Sequence, residues 1–240
     1  MLNVIVAGYG IVGKKRCKTV VENENTNLVA VCDKNFQHDG VFPDGVKFFK
    51  SFDDLLNIKA DILIVSLSND VASQVTAKGL SKGFNVFCEK PPGRNLEDLK
   101  EVIEAKKKNS NLKLMYGFNH RFHESVEEAF RIIKSNEFGK IINMKGEYGK
   151  SQIITFNQPD WRTKRDIAGG GVLLDQGIHM LDLMMLFGGK FTEIYSYVSN
   201  NFWKFDVEDN AYVLMKSNKG VIAMLNSSAT QWRHRFRLDI

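Results

Sequence analysis

Two patterns in the sequence predict an α/β protein. Its first 118 residues alternate short apolar strands with helices, the pattern of a doubly wound parallel sheet. Its later part reads as strands joined by turn residues, the largely antiparallel half of an α+β domain. A third observation fixes where the sheet begins. Leu2 to Ala7 is a continuous apolar run, as a strand buried on both faces should be, and Gly8-Tyr9-Gly10-Ile11-Val12-Gly13 follows it directly into a helical pattern over Ile11 to Glu22.

Taken in order, the strand Leu28 to Cys32 ends in Asp33, 20 positions after Gly13. A short strand covers Val46 to Phe49, and Ser51 caps a short helix with Asp54 three residues on. Asp61 to Leu67, Asn85 to Cys88 and Leu112 to Phe118 read as strands, separated by helices over Asp70 to Lys82 and Asn95 to Lys108. Glu124 to Ser135 is amphipathic, with Val126, Ala129, Phe130 and Ile133 on its inward face and Gly139 ending the segment. A strand over Ile141 to Lys150 precedes a polar, irregular stretch from Ser151 to Ala168 that contains Pro159-Asp160-Trp161-Arg162. A buried helix is expected over Val172 to Phe187, then strands over Phe191 to Val198, Val207 to Lys216, Gly220 to Ser228 and Phe236 to Ile240.

Composition excludes several classes. The 240 residues are 43% hydrophobic and 25% charged, without repeat or low-complexity tract, and the net charge of +5 is spread over short scattered groups. Nucleic acid is therefore not an expected partner. Of the basic groups, Lys14, Lys15 and Lys18 read as a solvated helix face. Cys17, Cys32 and Cys88 lack CxxC spacing and read as reduced thiols, and no apolar run is long enough to span a membrane, so a soluble cytoplasmic protein is expected. His120 and His123 stand three apart without carboxylate partners, so no metal is expected.

The glycine loop lies between strand and helix, with a carboxylate ending the second strand, which is the dinucleotide-binding context. The glycines let the backbone approach a pyrophosphate at a helix N-terminus, and Asp33 stands where a carboxylate takes the adenosine ribose hydroxyls. That charge repels a 2′-phosphate, so NAD is expected over NADP, although Lys34 beside it could tolerate the phosphate. Ligands on such sheets bind beyond the strands' C-terminal ends, which here carry Gly8 to Gly13, Asp33, Ser66 to Asn69 and Glu89-Lys90-Pro91. Proline after Lys90 fixes the local backbone, with a cis bond as one option.

In the expected buried helix Asp175, His179 and Asp182 recur at i, i+4 and i+7, a polar stripe among two apolar ridges. One ridge is Leu174, Ile178, Leu181 and Met185; the other is Leu173, Met180, Met184 and Phe187. Buried polar groups cost several kcal/mol unless paired or facing a cavity. The stripe reads either as the wall of a site or as an internal Asp175–His179 bond, and Gly169-Gly170-Gly171 just before it favours a site because glycine permits close backbone approach. Trp161-Arg162-Thr163-Lys164-Arg165 adjoins that triplet, and Arg162 or Arg165 could bind an anionic substrate group if the stretch is not simply a solvated loop; Arg121 reads the same way.

Four segments together, GYGIVG at Gly8 to Gly13, CEKP at Cys88 to Pro91, GFNHRF at Gly117 to Phe122 and GGGVLLDQGIHMLD at Gly169 to Asp182, resemble the glucose–fructose oxidoreductase/inositol dehydrogenase (Gfo/Idh/MocA) family. The resemblance implies a Rossmann dinucleotide-binding domain over residues 1–118 and an α+β substrate domain over 119–240, whose open-faced sheet makes the contact of a homodimer or homotetramer. It implies Lys90, Asp175 and His179 as the catalytic group. Lys90, Arg121, Trp161, Arg162, Asp175 and His179 are expected at the substrate. Gly8, Tyr9, Gly10, Ile11, Val12, Gly13, Asp33, Lys34, Ser66, Asn69, Glu89 and Lys90 are expected at the cofactor. Where the family often has Thr-Pro-Asn this chain has Leu67-Ser68-Asn69, so only Asn69 carries over. Family members continue beyond the point where this chain stops, so its second domain is expected to be incomplete. The activity expected is hydride transfer between NAD(H) and a secondary alcohol or ketone of a sugar, polyol or nucleotide sugar. The alternatives are a redox-neutral sugar-modifying enzyme with tightly held NAD, or a non-catalytic nucleotide-sensing protein on the same fold.

Overall fold

The computed structural model describes residues 1–152 and 161–240; Pro159 and Asp160 of the polar stretch lie outside them. The chain divides into two compact units, Met1–Gly117 and Phe118–Ile240.

The first unit is built on strands β1 (Leu2–Ala7), β2 (Thr26–Cys32), β3 (Gly40–Val41), β4 (Lys47–Phe49), β5 (Ile62–Val65), β6 (Asn85–Cys88) and β7 (Leu114–Tyr116). Helices α1 (Ile11–Glu22), α2 (Phe52–Leu55), α3 (Asn69–Ser81) and α4 (Leu96–Lys108) connect them. The seven-stranded sheet runs β3-β4-β2-β1-β5-β6-β7, parallel throughout except for β3 against β4. The β3–β4 hairpin is absent from the expectation, because a two-residue strand has no readable period. β1 lies at the centre and buries both faces. Ile5 and Ala7 pack into a core with Leu63, Val75 and Leu80, while Val4 and Val6 pack with Cys17, Val20 and Val31. This double burial is why β1 reads as an unbroken apolar run.

The hydrogen-bond ladder continues one residue past each strand. Gly8 N–H donates to the Cys32 carbonyl (2.8 Å), Ser66 to Ala7 (2.7 Å), Glu89 to Val65 (2.9 Å) and Gly117 to Cys88 (2.8 Å). That rule of parallel pairing brings the motif residues into one row at the sheet's C-terminal edge. Ser51 Oγ accepts from Asp53 N–H at 3.1 Å, so the predicted cap forms, and Asn95 Oδ1 caps α4 by accepting from Asp98 N–H at 3.0 Å.

The second unit opens with a 3-10 turn at Asn119–Phe122, then α5 (Glu124–Ser135), β8 (Asn143–Gly149), a second 3-10 turn (Trp161–Thr163) and α6 (Arg165–Ala168). A π turn (Leu173–Gly177) leads into α7 (Ile178–Gly188), followed by β9 (Phe191–Ser199), β10 (Asn210–Ser217), β11 (Ile222–Ser228) and β12 (Arg235–Asp239). The sheet order is β12-β8-β11-β10-β9; β8 and β11 are parallel and the other pairs antiparallel. One face carries Met144, Val213, Met215, Ala223 and Leu225 against Met180, Leu183 and Met184 of α7. Gly146 lets that helix sit close, since a Cβ there would stand 2.5 Å from Met184 Cε. The opposite face is open: Tyr195, Tyr197, Tyr212, Leu214, Ile222 and Met224 are all exposed.

Three expectations change here. The expected single α-helix begins as a π turn, so the Leu174–Ile178–Leu181–Met185 ridge is less buried than its spacing suggests, and Met185 is 52% exposed. Phe130 of α5 is exposed although Val126 is buried, because two turns of α5 supply enough apolar surface through Val126, Ala129 and Ile133. β10 starts at Asn210 rather than Val207; Val207 instead packs with Val172 and Ala229 in a small separate core.

Candidate active site

In the first unit the glycine loop is shaped by contacts that only glycine permits. Gly8 has φ +98°, and a Cβ on it would lie 2.2 Å from the Ser66 carbonyl oxygen. A Cβ on Gly13 would lie 1.8 Å from the Gly8 oxygen. Gly10 is different: nothing stands within 4 Å of its added Cβ. Gly10 is also the N-cap of α1 and offers no side chain to the helix's first N–H groups, which therefore face the space over the loop. Ile11 and Val12 form the first turn, with Ile11 exposed.

Asp33 is held beside this loop. Its Oδ2 accepts from Tyr9 N–H at 2.8 Å, and its Oδ1 accepts from Asn35 N–H (2.9 Å) and Asn35 Nδ2 (2.8 Å). These bonds fix the carboxylate beside the loop, and a carboxylate has about four acceptor positions in all. Lys34 is exposed next to it. Asn69 is buried in the first turn of α3, and the Lys90–Pro91 bond is cis.

Glu89, expected at the cofactor, makes an ion pair within the protein. Its Oε1 takes the Arg16 Nε of α1 at 2.5 Å, and the Arg16 guanidinium lies 5.0 Å from the Phe87 ring centroid. A Cβ on Gly117 would come 2.8 Å from Glu89 Oε2. Glu89 therefore ties α1 to the sheet edge, and Arg16, hidden in a run that reads as solvated lysines, is the partner sequence inspection misses. The three cysteines are buried and free, and burial pushes their thiols up, Cys17 to about 11 and Cys32 and Cys88 to about 12. Thiols held neutral in this way are poor nucleophiles.

In the second unit the polar stripe separates into three environments. Asp175 sits in the π turn, a helix irregularity common at functional sites. Its Oδ2 accepts from Gln176 Nε2 at 2.7 Å and lies 3.7 Å from Lys150 Nζ, while its Oδ1 lies 4.0 Å from Arg162 Nε. The Arg162 guanidinium covers the Trp161 ring at 4.3 Å. Trp161, Arg162 and Asp175 are thus brought together, and Lys150, only 7% exposed, joins them without any sequence signal beyond its position after β8. Arg165 is engaged elsewhere, donating to the Asp206 carbonyl at 3.1 Å.

His179 is buried in the first turn of α7. Its imidazole stacks on that of His120 with centroids 4.1 Å apart and planes 15° from parallel, and Phe118 meets it edge-on at 6.1 Å. Tyr148, also buried, lies 6.5 Å from His179; burial, and secondarily the Asp175 charge, pushes its phenol above the ordinary value, so it stays protonated. Asp182 belongs to neither group. Arg121 grips it through two hydrogen bonds, Nε to Oδ2 at 2.7 Å and NH2 to Oδ1 at 2.5 Å. Arg121, expected at the substrate, also fastens the 3-10 turn to α7, because a largely buried carboxylate favours a charge-assisted partner.

The glycine triplet is also explained from within. Gly169 takes the left-handed cap of α6 (φ +82°), a Cβ on Gly170 would touch Leu174, and one on Gly171 would stand 2.0 Å from the Glu208 carbonyl oxygen. The close backbone approach it permits is made by the chain itself.

Among the described residues no cluster of three or more His, Cys, Asp or Glu could hold a metal ion, and no helix is long and apolar enough to cross a membrane. In the first unit the donor set is that of a dinucleotide site: backbone N–H groups at a helix start, room above Gly10, and an acceptor at Asp33.

Comparison with known proteins agrees. A family model described as an oxidoreductase family, NAD-binding Rossmann fold, matches residues 2–118, and a second described as the GFO/IDH/MocA C-terminal domain matches residues 126–240. D-glucoside 3-dehydrogenase of Escherichia coli is 27% identical over 95% of this chain and 70% of the relative. Inositol 2-dehydrogenase of Salmonella typhimurium is 26% identical over 75% of this chain and 52% of the relative. Among solved structures, the WlbA dehydrogenase from Bordetella pertussis in complex with NADH and UDP-GlcNAcA superposes with a TM-score of 0.88 at 19% identity, over 99% of this chain and 70% of that one. The chain thus spans about half to seven tenths of the length of these proteins.

Proposed function

Because the chain belongs to the Gfo/Idh/MocA family of oxidoreductases, we propose that it serves an NAD(H)-dependent dehydrogenase acting on a secondary alcohol or ketone of a sugar or polyol. The observation that carries this reading is the Asp175 carboxylate between Lys150 and Arg162, in a π turn that delivers His179 on the same buried helix. Such an arrangement offers a polyhydroxylated molecule both donors and acceptors, with a proton acceptor one turn away. Relatives named for glucosides and inositol support the substrate class.

The backbone N–H groups at the start of α1 would hold a pyrophosphate, the open space over Gly10 would admit it, and Asp33 would take a ribose hydroxyl. NAD, when bound, supplies the hydride acceptor. The Asp33 charge favours NAD over NADP despite the exposed Lys34. His179 would take the proton of the substrate alcohol, since a neutral imidazole is a proton acceptor. Lys90, at the sheet edge of the first unit, would supply an ammonium able to stabilise negative charge on a bound ligand. Asp175 and Lys150 grip a neighbouring hydroxyl, and Trp161 and Arg162 complete the substrate wall. Arg121 and Glu89 take no part in this set, being committed to Asp182 and Arg16.

The open face of the second sheet, with Tyr195, Tyr197, Tyr212, Leu214, Ile222 and Met224 exposed, suits a contact between copies of the chain, as a homodimer or homotetramer. Free buried thiols suit the reducing cytoplasm.

The test is NAD(H) turnover against glucosides, inositols, levoglucosan and nucleotide sugars, followed at the NADH absorbance band. Net NADH with one class is the expected result, and His179→Asn and Lys90→Met should each lower kcat by at least about a hundredfold. Near-normal turnover in both variants would overturn the assignment; bound cofactor without net turnover would shift it to a redox-neutral enzyme.

A further inference from the structure

The turn that follows β2 in the first unit is tied down from several sides. Asp33 N–H donates to the Phe49 carbonyl of β4 at 3.0 Å, and Phe36 N–H donates to the Asp33 carbonyl at 3.1 Å, which closes the turn. The Asp33 carboxylate is gripped at both oxygens. Tyr9 N–H of the glycine loop reaches Oδ2 at 2.8 Å, and Asn35 N–H and Nδ2 reach Oδ1 at 2.9 and 2.8 Å. The Tyr9 ring is anchored in turn, 5.7 Å from the Phe36 ring and 5.8 Å from Phe42, and both of those pack on Phe48 at 5.2 and 4.6 Å. Gly40 of β3 makes room for this cluster, since a Cβ there would stand 2.5 Å from Phe48 Cζ.

We propose that Asn35 and Tyr9 are positioning residues for Asp33, and that their clasp, more than the mere presence of a carboxylate, sets the preference for NAD over NADP. This rests on reading Asp33 as the group that faces the adenosine ribose of the bound cofactor. The three donors of the clasp are neutral, so they orient the carboxylate without cancelling its charge. Lys34 is exposed and next in the chain. A carboxylate released from the clasp turns towards that ammonium, and a charge so paired no longer opposes the roughly two negative charges of a 2′-phosphate. The clasp therefore withholds Asp33 from the one neighbour that would admit NADP.

The functional consequence is discrimination by a fixed charge. A ribose hydroxyl meets an acceptor already in place, and a phosphate meets a charge that cannot turn aside. The β3–β4 hairpin gains a purpose from this, because Phe42 and Phe48 hold the Tyr9 ring and so the N–H that Tyr9 aims at Asp33. The two cofactors share their pyrophosphate, so a loosened glycine loop weakens both alike. A loosened Asp33 changes their ratio.

The experiment is a fluorescence titration of the full 240-residue chain with NADH and with NADPH, read as the ratio of their dissociation constants. Wild type should bind NADH at least about tenfold tighter than NADPH. Asp33→Asn keeps an acceptor oxygen without the charge and should bring the two affinities close together. Asn35→Ala and, independently, Tyr9→Ala should each narrow the ratio at least about threefold, the scale of one screened hydrogen bond to a charged group. Tyr9→Phe keeps the ring and should match wild type. Should Tyr9→Ala not fold, Asn35→Ala, on an exposed turn, carries the test. A ratio that shifts in Asp33→Asn but stays put in Asn35→Ala and Tyr9→Ala would overturn this inference alone. A ratio unchanged in Asp33→Asn, or equal affinities in wild type, would fault the reading of Asp33 on which it rests. Equal loss of both cofactors in Tyr9→Ala would reduce the Tyr9 ring to a support of the glycine loop and overturn its part in the clasp.

Discussion

Two glycine-rich turns lead into helices in this chain, and they are used in opposite ways. At Gly8 to Gly13 the outer glycines are filled by the protein's own backbone, but Gly10 faces open space. At Gly169 to Gly171 every glycine is accounted for internally, by a left-handed cap, by Leu174 and by the Glu208 backbone. The compositions are alike. What distinguishes a ligand turn from a packing turn is what a Cβ would meet, and that depends on residues distant in the chain.

The largest effect that would break this comparison is on stability. Gly171→Ala places a methyl 2.0 Å from a backbone oxygen that cannot move aside without disturbing β10. It should destabilise the second unit by about 3 kcal/mol, the upper range for overpacking a filled site, read from denaturant unfolding. Gly10→Ala should leave stability within about 0.5 kcal/mol of wild type, as for surface changes away from special features. It should nevertheless weaken NADH binding at least tenfold, about 1.4 kcal/mol, measured by fluorescence titration. A Gly10→Ala protein that binds NADH normally would remove the glycine loop from the site.

The same contrast explains how much could be read from the sequence. The first unit's site is local: strand, glycine turn, helix and terminal carboxylate follow one another within Leu2 to Asp33, and parallel pairing then aligns the remaining strand ends. The second unit's site is assembled from afar. Arg121 meets Asp182 across 61 positions, and in the first unit Arg16 meets Glu89 across 73. No periodicity encodes such pairs, so the partners of Arg121 and Glu89 could not be read from the sequence. The π turn was hidden too, since it changes helix phase without changing composition. Lys150 carried no signal, because a lysine after a strand reads as solvated until the fold buries it.

Lys150 sharpens the comparison at the level of binding. Its ammonium lies 3.7 Å from Asp175 Oδ2, too long for a direct hydrogen bond but short enough for one hydroxyl oxygen to contact both. Lys150→Met preserves the buried stem and removes the charge. KM for the best substrate should rise about tenfold with kcat within about threefold of wild type, the pattern of lost uniform binding. An equal fall in kcat and kcat/KM would instead make Lys150 a transition-state group, and no change in either would leave it a strut for Asp175.

Arg121 supplies the smallest effect and the cleanest separation of structure from chemistry. Its two hydrogen bonds to Asp182 are charge-assisted and planar, but the arginine side chain is 43% exposed, so solvent screens part of their strength. Arg121→Leu should cost about 1 kcal/mol of stability once that screening is allowed for. Because the guanidinium is spent on Asp182 rather than aimed at a ligand, KM should be unchanged for neutral and anionic sugars alike. A rise in KM confined to anionic substrates would return Arg121 to the binding set, and would mean that the Asp182 clasp opens when substrate arrives. An unchanged KM together with the stability loss would make the clasp a fixed part of the scaffold that carries His179.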